Sequence, residues 1–111
     1  LNVDKSEADA KKEIGLISEI IPRYRSTYFQ HVFSGGYSSG YYSYLWSEVL
    51  DSDAFQAFVE KGNIFDQETA KSFRENVLSK GGSEEPMVLY KKFRGAEPNP
   101  IYLLKNRGFV K

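Results

Sequence analysis

Apolar residues in this chain recur at three- and four-residue steps, and most of these runs stop at a glycine or a proline. Ala10, Ile14, Ile17 and Ile21 follow this rhythm, as do Tyr42, Leu45, Trp46, Val49 and Leu50, then Ala70, Phe73, Val77 and Leu78, then Met87, Leu89, Tyr90 and Phe93. Such steps place side chains on one face of a helix. No segment alternates apolar and polar residues between hairpin turns, so strands are not supported. The pattern predicts an all-α chain of five or six short helices, and 111 residues suit one domain of modest core.

The expected boundaries follow from local signals. A first helix spans Ser6 to Ile21 and ends at Pro22, whose ring removes an amide donor, so residues 1–22 form an N-terminal helical segment. Residues 23–40 form an aromatic and glycine-rich loop, with Arg23 to Gln30 extended or short-helical, and residues 41–111 a helical scaffold. Within it, helical spacing resumes near Gly40 and runs to Leu50, with Tyr42 on the packing stripe. Asp51, Ser52 and Asp53 read as the cap of a new helix carrying Ala54, Phe55, Phe58 and Val59 and closing at Gly62. Asp66 caps the next, which stops at Gly81 and Gly82. Ser83 caps another with Pro86 in its first turn, and Asn99 with Pro100 starts the last, closing at Gly108. Gly40 inside a helical pattern costs roughly 1 kcal/mol relative to alanine, which calls for close approach by backbone or ligand.

Composition excludes several function classes. Fifteen basic and fifteen acidic residues give no formal net charge, so the electrostatic drive towards nucleic acid is missing. The KKFR run at Lys91 to Arg94 is flanked by Glu84, Glu85 and Glu97 and reads as a solvated helix face. No apolar run approaches the roughly 18 residues of a membrane span, so no membrane partner is expected. Without cysteine there is no disulfide framework, which favours a cytoplasmic setting over a periplasmic one without demonstrating it. The chain does not open with methionine, and the expectation is a piece of a longer protein.

The segment His31 to Trp46, HVFSGGYSSGYYSYLW, sets six aromatic rings and three glycines beside the only histidine. Glycine allows close backbone approach and tyrosine joins an apolar face to a polar tip, a mixture that suits gripping a ligand. Tyr37, Tyr41, Tyr44 and Glu48 fall at steps of four, three and four, as on one helical face. One histidine and no cysteine cannot complete a zinc site, so no metal ligand is assigned in this chain. Ser34, Ser38, Ser39 and Ser43 lack the G-x-S-x-G elbow of a serine hydrolase.

The runs RYRSTYFQHVFSGGYSSGYYSYLWSEVLDSDAF and IFDQETAKSFRENVLSKGGSEEPMVLYKKFRGAEPNPIYLLKNRGF closely resemble the C-terminal end of peptidyl-dipeptidases (dipeptidyl carboxypeptidases). These belong to the thimet-oligopeptidase and neurolysin family of zinc metallopeptidases. The resemblance covers about Ile21 to Phe109, and the six-residue step from His31 to Tyr37 favours the peptidyl-dipeptidase branch. It implies the C-terminal part of a larger, mostly helical enzyme that releases C-terminal dipeptides from oligopeptides. Zinc would belong to the parent, on an upstream H-E-x-x-H helix absent from this sequence. The resemblance assigns Tyr44 as the phenol that stabilises the oxyanion and His31 as a partner for substrate backbone. Tyr37 and Tyr41 become substrate-contacting phenols, and Gly35, Gly36 and Gly40 the points where the loop closes over the peptide. The implied partners are an oligopeptide substrate and the remainder of the parent. The alternative is a non-catalytic helical module that binds peptides or another protein.

Overall fold

The computed structural model describes residues 2–111, and the chain divides into two compact units between Tyr42 and Ser43. All regular structure among the described residues is helical, with five α-helices, as the apolar spacing predicts.

The first unit opens with α1, Val3–Glu13, capped by the Asn2 side chain, which accepts from the Lys5 amide at 3.0 Å. Asp4 lies in its first turn and Lys11 and Lys12 in its last, matching the helix dipole. The helix does not reach Ile21. Gly15 takes a left-handed φ of +69°, its amide donates to the Lys12 carbonyl, and the Leu16 amide donates to the Lys11 carbonyl. This double closure ends the helix before Pro22 can act. The expected stripe is thereby dissolved, leaving Ile14, Ile17 and Ile21 exposed. Between Arg23 and Gln30 the chain makes bends and a turn in which the Tyr28 amide donates back to the Arg25 carbonyl, and helical structure is limited to one 3₁₀ turn that opens at Gln30, Gln30–Val32.

Side chains tie this segment to α1. Glu7 accepts from the Ser26 amide at 2.6 Å and from Arg25 Nε at 2.9 Å, and Arg25 also donates to Asp4 at 2.5 Å. The Ser26 backbone amide, then its hydroxyl, then Arg25 hold the Glu7 carboxyl down at about 2.

The second unit contains α2 (Ser43–Glu60), α3 (Gln67–Phe73), α4 (Pro86–Arg94) and α5 (Ile101–Asn106), with α3 running into one π turn at Arg74–Leu78. Two expectations change here. The helix starts at Ser43, so Gly40 lies outside it, and a Cβ there would meet only backbone oxygens at 3.7 and 3.9 Å. Gly40 therefore carries no helix-interior cost and answers no close approach. Second, Asp51, Ser52 and Asp53 cap nothing, because α2 runs straight through them. Ser52 and Asp53 are instead turned inward and buried.

Asp53 is 1% exposed, the most buried side chain of the core that holds Val49, Leu89, Tyr90 and Leu103. It accepts from the Tyr90 hydroxyl at 2.5 Å and from Arg94 Nε at 3.3 Å. Arg94 also grips Glu60 with two bonds of 2.8 Å. Arg94 thus leaves the expected solvated face, whereas Lys91 and Lys92 remain on it, paired with Glu97 and Glu84. Burial first, and then the hydrogen bond to Asp53, push the Tyr90 phenol well above its usual range. Asn106 donates to Ser52, and Arg107 pairs with Glu48, fastening α5 to α2.

Of the other expected caps, Asp66 and Asn99 hold and Ser83 does not. Asp66 accepts from the Thr69 amide at 2.8 Å, while the cap of α4 is Glu85, which accepts from the Val88 amide, and not Ser83. The Asn99 side chain accepts from the Ile101 amide at the start of α5.

Candidate functional site

His31 sits in the 3₁₀ turn Gln30–Val32 and Tyr37 ends a second one, Gly35–Tyr37. Between them the backbone reverses at Gly35, whose φ of +73° a side chain would oppose. The loop closes on itself: Ser39 donates its amide to the Val32 carbonyl at 3.3 Å, and Gly40 to the Tyr37 carbonyl at 2.9 Å. The Ser38 hydroxyl donates to the Gly35 carbonyl at 3.1 Å.

This folding gathers three of the expected residues. The His31 ring lies 5.2 Å from Tyr41 and 6.2 Å from Tyr37, and Tyr37 lies 5.9 Å from Tyr41 at 80°. Two further rings join them that the site assignment did not include. Tyr24 stacks on Phe29 at 4.9 Å and lies 5.1 Å from His31, and Phe29 meets Tyr41 edge-on at 4.9 Å. The first unit thus holds four aromatic rings around the imidazole of His31.

His31 Nδ1 is buried and has no hydrogen-bond partner among the described residues. A polar atom in that state gains from a donor or acceptor brought by something else. Beside it an open hollow of about 340 Å³ is lined by Gln30, His31, Ser34, Gly35, Gly36 and Tyr37. A Cβ added at Gly35 or Gly36 would meet nothing within 4 Å, so the glycine backbone is open on that side. The hollow combines main-chain groups, an imidazole and a phenol, which suits a main-chain ligand.

Tyr44 belongs to the second unit, in the first turn of α2, where it is 54% exposed. It does not share a helical face with Tyr37 and Tyr41, which precede the helix in turns; only Tyr44 and Glu48 keep the four-residue step on α2. Tyr42 is 72% exposed and packs no core, contrary to its expected place on the packing stripe. Leu45 and Trp46 are also exposed at this end of the helix, and burial begins with Val49.

Among the described residues no three His, Cys, Asp or Glu side chains come together to hold a metal ion, and none of the helices is long and apolar enough to cross a membrane. The residues present do not fit a zinc centre, and no chemical step is assigned to one within this chain.

The sequence matches the profile of Peptidase family M3 over residues 1–109. It is 58% identical over 80 residues to Oligopeptidase A of Escherichia coli (strain K12), covering 72% of this chain and 12% of that protein. It is 48% identical over 89 residues to the Dipeptidyl carboxypeptidase of the same organism, covering 80% of this chain and 13% of that protein. A Probable cytosolic oligopeptidase A of Arabidopsis thaliana is 45% identical over 86 residues, 74% of this chain and 12% of the relative. The chain therefore spans about an eighth of the length of these relatives. Overall identity does not single out the dipeptidyl carboxypeptidase branch that the step from His31 to Tyr37 favours. A match along nearly the whole chain, on an all-helical structure, establishes that the chain belongs to Peptidase family M3.

Proposed function

We propose that this chain is the part of a zinc-dependent oligopeptidase that binds the peptide main chain and stabilises the oxyanion, with the zinc ligands supplied from elsewhere in the parent. The observation that carries the reading is the gathering of His31, Tyr37 and Tyr41 beside a hollow framed by glycine backbone. His31 holds substrate backbone, and Tyr37 and Tyr41 contact the peptide. Gly35 and Gly36 let the peptide lie close to the loop, and Gly40 sits at its far end. Tyr44 is assigned by the family resemblance as the donor to the carbonyl oxygen. As water attacks a peptide carbonyl, charge develops on that oxygen, and a neutral phenol aimed at it lowers the barrier. The chain alone is inert in this account and cleaves no peptide.

The resemblance at His31 and Tyr37 supports release of C-terminal dipeptides from short peptides, in a cytosolic setting like that named for the Arabidopsis relative. A second reading, an oligopeptidase that is not restricted to C-terminal dipeptides and also cuts internal bonds, fits the higher identity to a relative named only as an oligopeptidase. Digesting a free and a C-terminally amidated peptide with the full-length parent separates them. Dipeptide release from the free peptide alone supports the first, and internal cuts in both peptides support the second. A full-length parent that binds peptides without cutting any would leave the chain as a non-catalytic module.

A further inference from the structure

We propose that Tyr24 and Phe29 are positioning residues that set the imidazole of His31 and the phenol of Tyr41, an inference that rests on the reading of His31 as a group that binds substrate. A functional histidine is ordinarily oriented by a hydrogen bond from one ring nitrogen to a carboxylate or carbonyl. His31 Nδ1 has no such partner among the described residues, so on that side ring packing must do the orienting. The packing is specific. Tyr24 and Phe29 are nearly parallel, 19° apart, and both rings lie against the imidazole, at 5.1 and 5.9 Å. Both also present themselves edge-on to Tyr41, at 90° and 85°. These are the offset and edge-to-face geometries that aromatic quadrupoles prefer.

The platform is itself held from outside the glycine segment. The Arg23 guanidinium lies 5.1 Å from the centre of the Tyr24 ring, within cation–π range. The next two residues are anchored to α1, Arg25 through Asp4 and Glu7, and Ser26 through Glu7. Tyr24 is thus fixed to a helix, while His31 lies in a short turn that has no side-chain cap. Orientation runs from α1 through Tyr24 and Phe29 to His31 and Tyr41.

A double-mutant cycle in the full-length parent tests this, read by steady-state kinetics on a short peptide. Tyr24→Leu keeps much of the volume but loses the ring, and is expected to raise KM about fivefold with kcat within about twofold. Tyr24→Phe keeps the ring and is expected to behave as wild type. In a His31→Ala background, Tyr24→Leu should cost clearly less than its fivefold in the wild-type background, because the share that passes through the imidazole is already lost and only the share through Tyr41 remains. Phe29→Leu supplies the same comparison if Tyr24→Leu does not fold. An unchanged KM in the leucine variants, or a full additive loss in the His31→Ala background, would overturn the inference while leaving the role of His31 intact. Wild-type kinetics for His31→Ala alone would remove that role, and the positioning claim with it.

Discussion

Tyr90 on α4 donates a 2.5 Å hydrogen bond to Asp53 on α2, and the acceptor is the most deeply buried side chain of its core. A carboxylate at that depth is costly unless it is paired, and Tyr90 and Arg94 both donate to its Oδ2. Asp53→Ala should destabilise the 111-residue chain by about 3–5 kcal/mol, since it leaves the Tyr90 hydroxyl only its longer bond to the Leu50 carbonyl, removes one partner of Arg94 and empties a buried site. Tyr90→Phe should cost less, about 1–3 kcal/mol, because Arg94 remains on the carboxylate. Urea unfolding measures both, and a smaller loss for Asp53→Ala than for Tyr90→Phe would contradict this ordering.

Acid should release the loop segment from α1. Glu7 has its folded-state pKa lowered from 4.5 to about 2, with the Ser26 amide the largest cause. A depressed carboxyl contributes stability that is fully present above pH 4.5 and is lost as pH falls through about 2. The Ser26 amide resonance, followed by NMR, should therefore titrate with a midpoint near 2 and lose that transition in Glu7→Gln. A midpoint near 4.5 would mean that the carboxylate is not anchored in solution. High salt should weaken the accompanying Arg25 pairs, which lie near the surface.

Gly15 ends α1 in a left-handed conformation with nothing near its missing Cβ, so only backbone strain opposes a side chain there. Gly15→Ala should cost about 1–2 kcal/mol and Gly15→Asn less. Equal thermal stability of all three proteins would remove Gly15 as the stop signal.

Gly15 also shows where the sequence could mislead. Glycine is a common helix stop, but the apolar steps from Ala10 to Ile21 continue across it, so periodicity alone predicts too long a helix. Asp53 is a different case. An Asp-Ser-Asp triplet carries the local signature of a cap, and the fact that overrides it lies 41 residues away, in Arg94. Where the deciding bonds are local, as at Asp66, the element was legible. The site divides in the same way. His31, Tyr37 and Tyr41 stand in one motif, whereas Tyr24 and Phe29 reach them through turns whose geometry no spacing rule specifies.

The proposed role of Tyr44 as a donor to transition-state charge is open to a single substitution, Tyr44→Phe in the full-length parent. Steady-state kinetics on a short peptide should show kcat reduced on the order of 10²–10³, about 2.7–4 kcal/mol, with KM little changed, since the lost bond matters only once the oxyanion forms. Tyr42→Phe, altering an exposed neighbouring phenol, should leave both constants near wild type. A Tyr44→Phe enzyme as fast as wild type, or one impaired only in KM, would rule out that role.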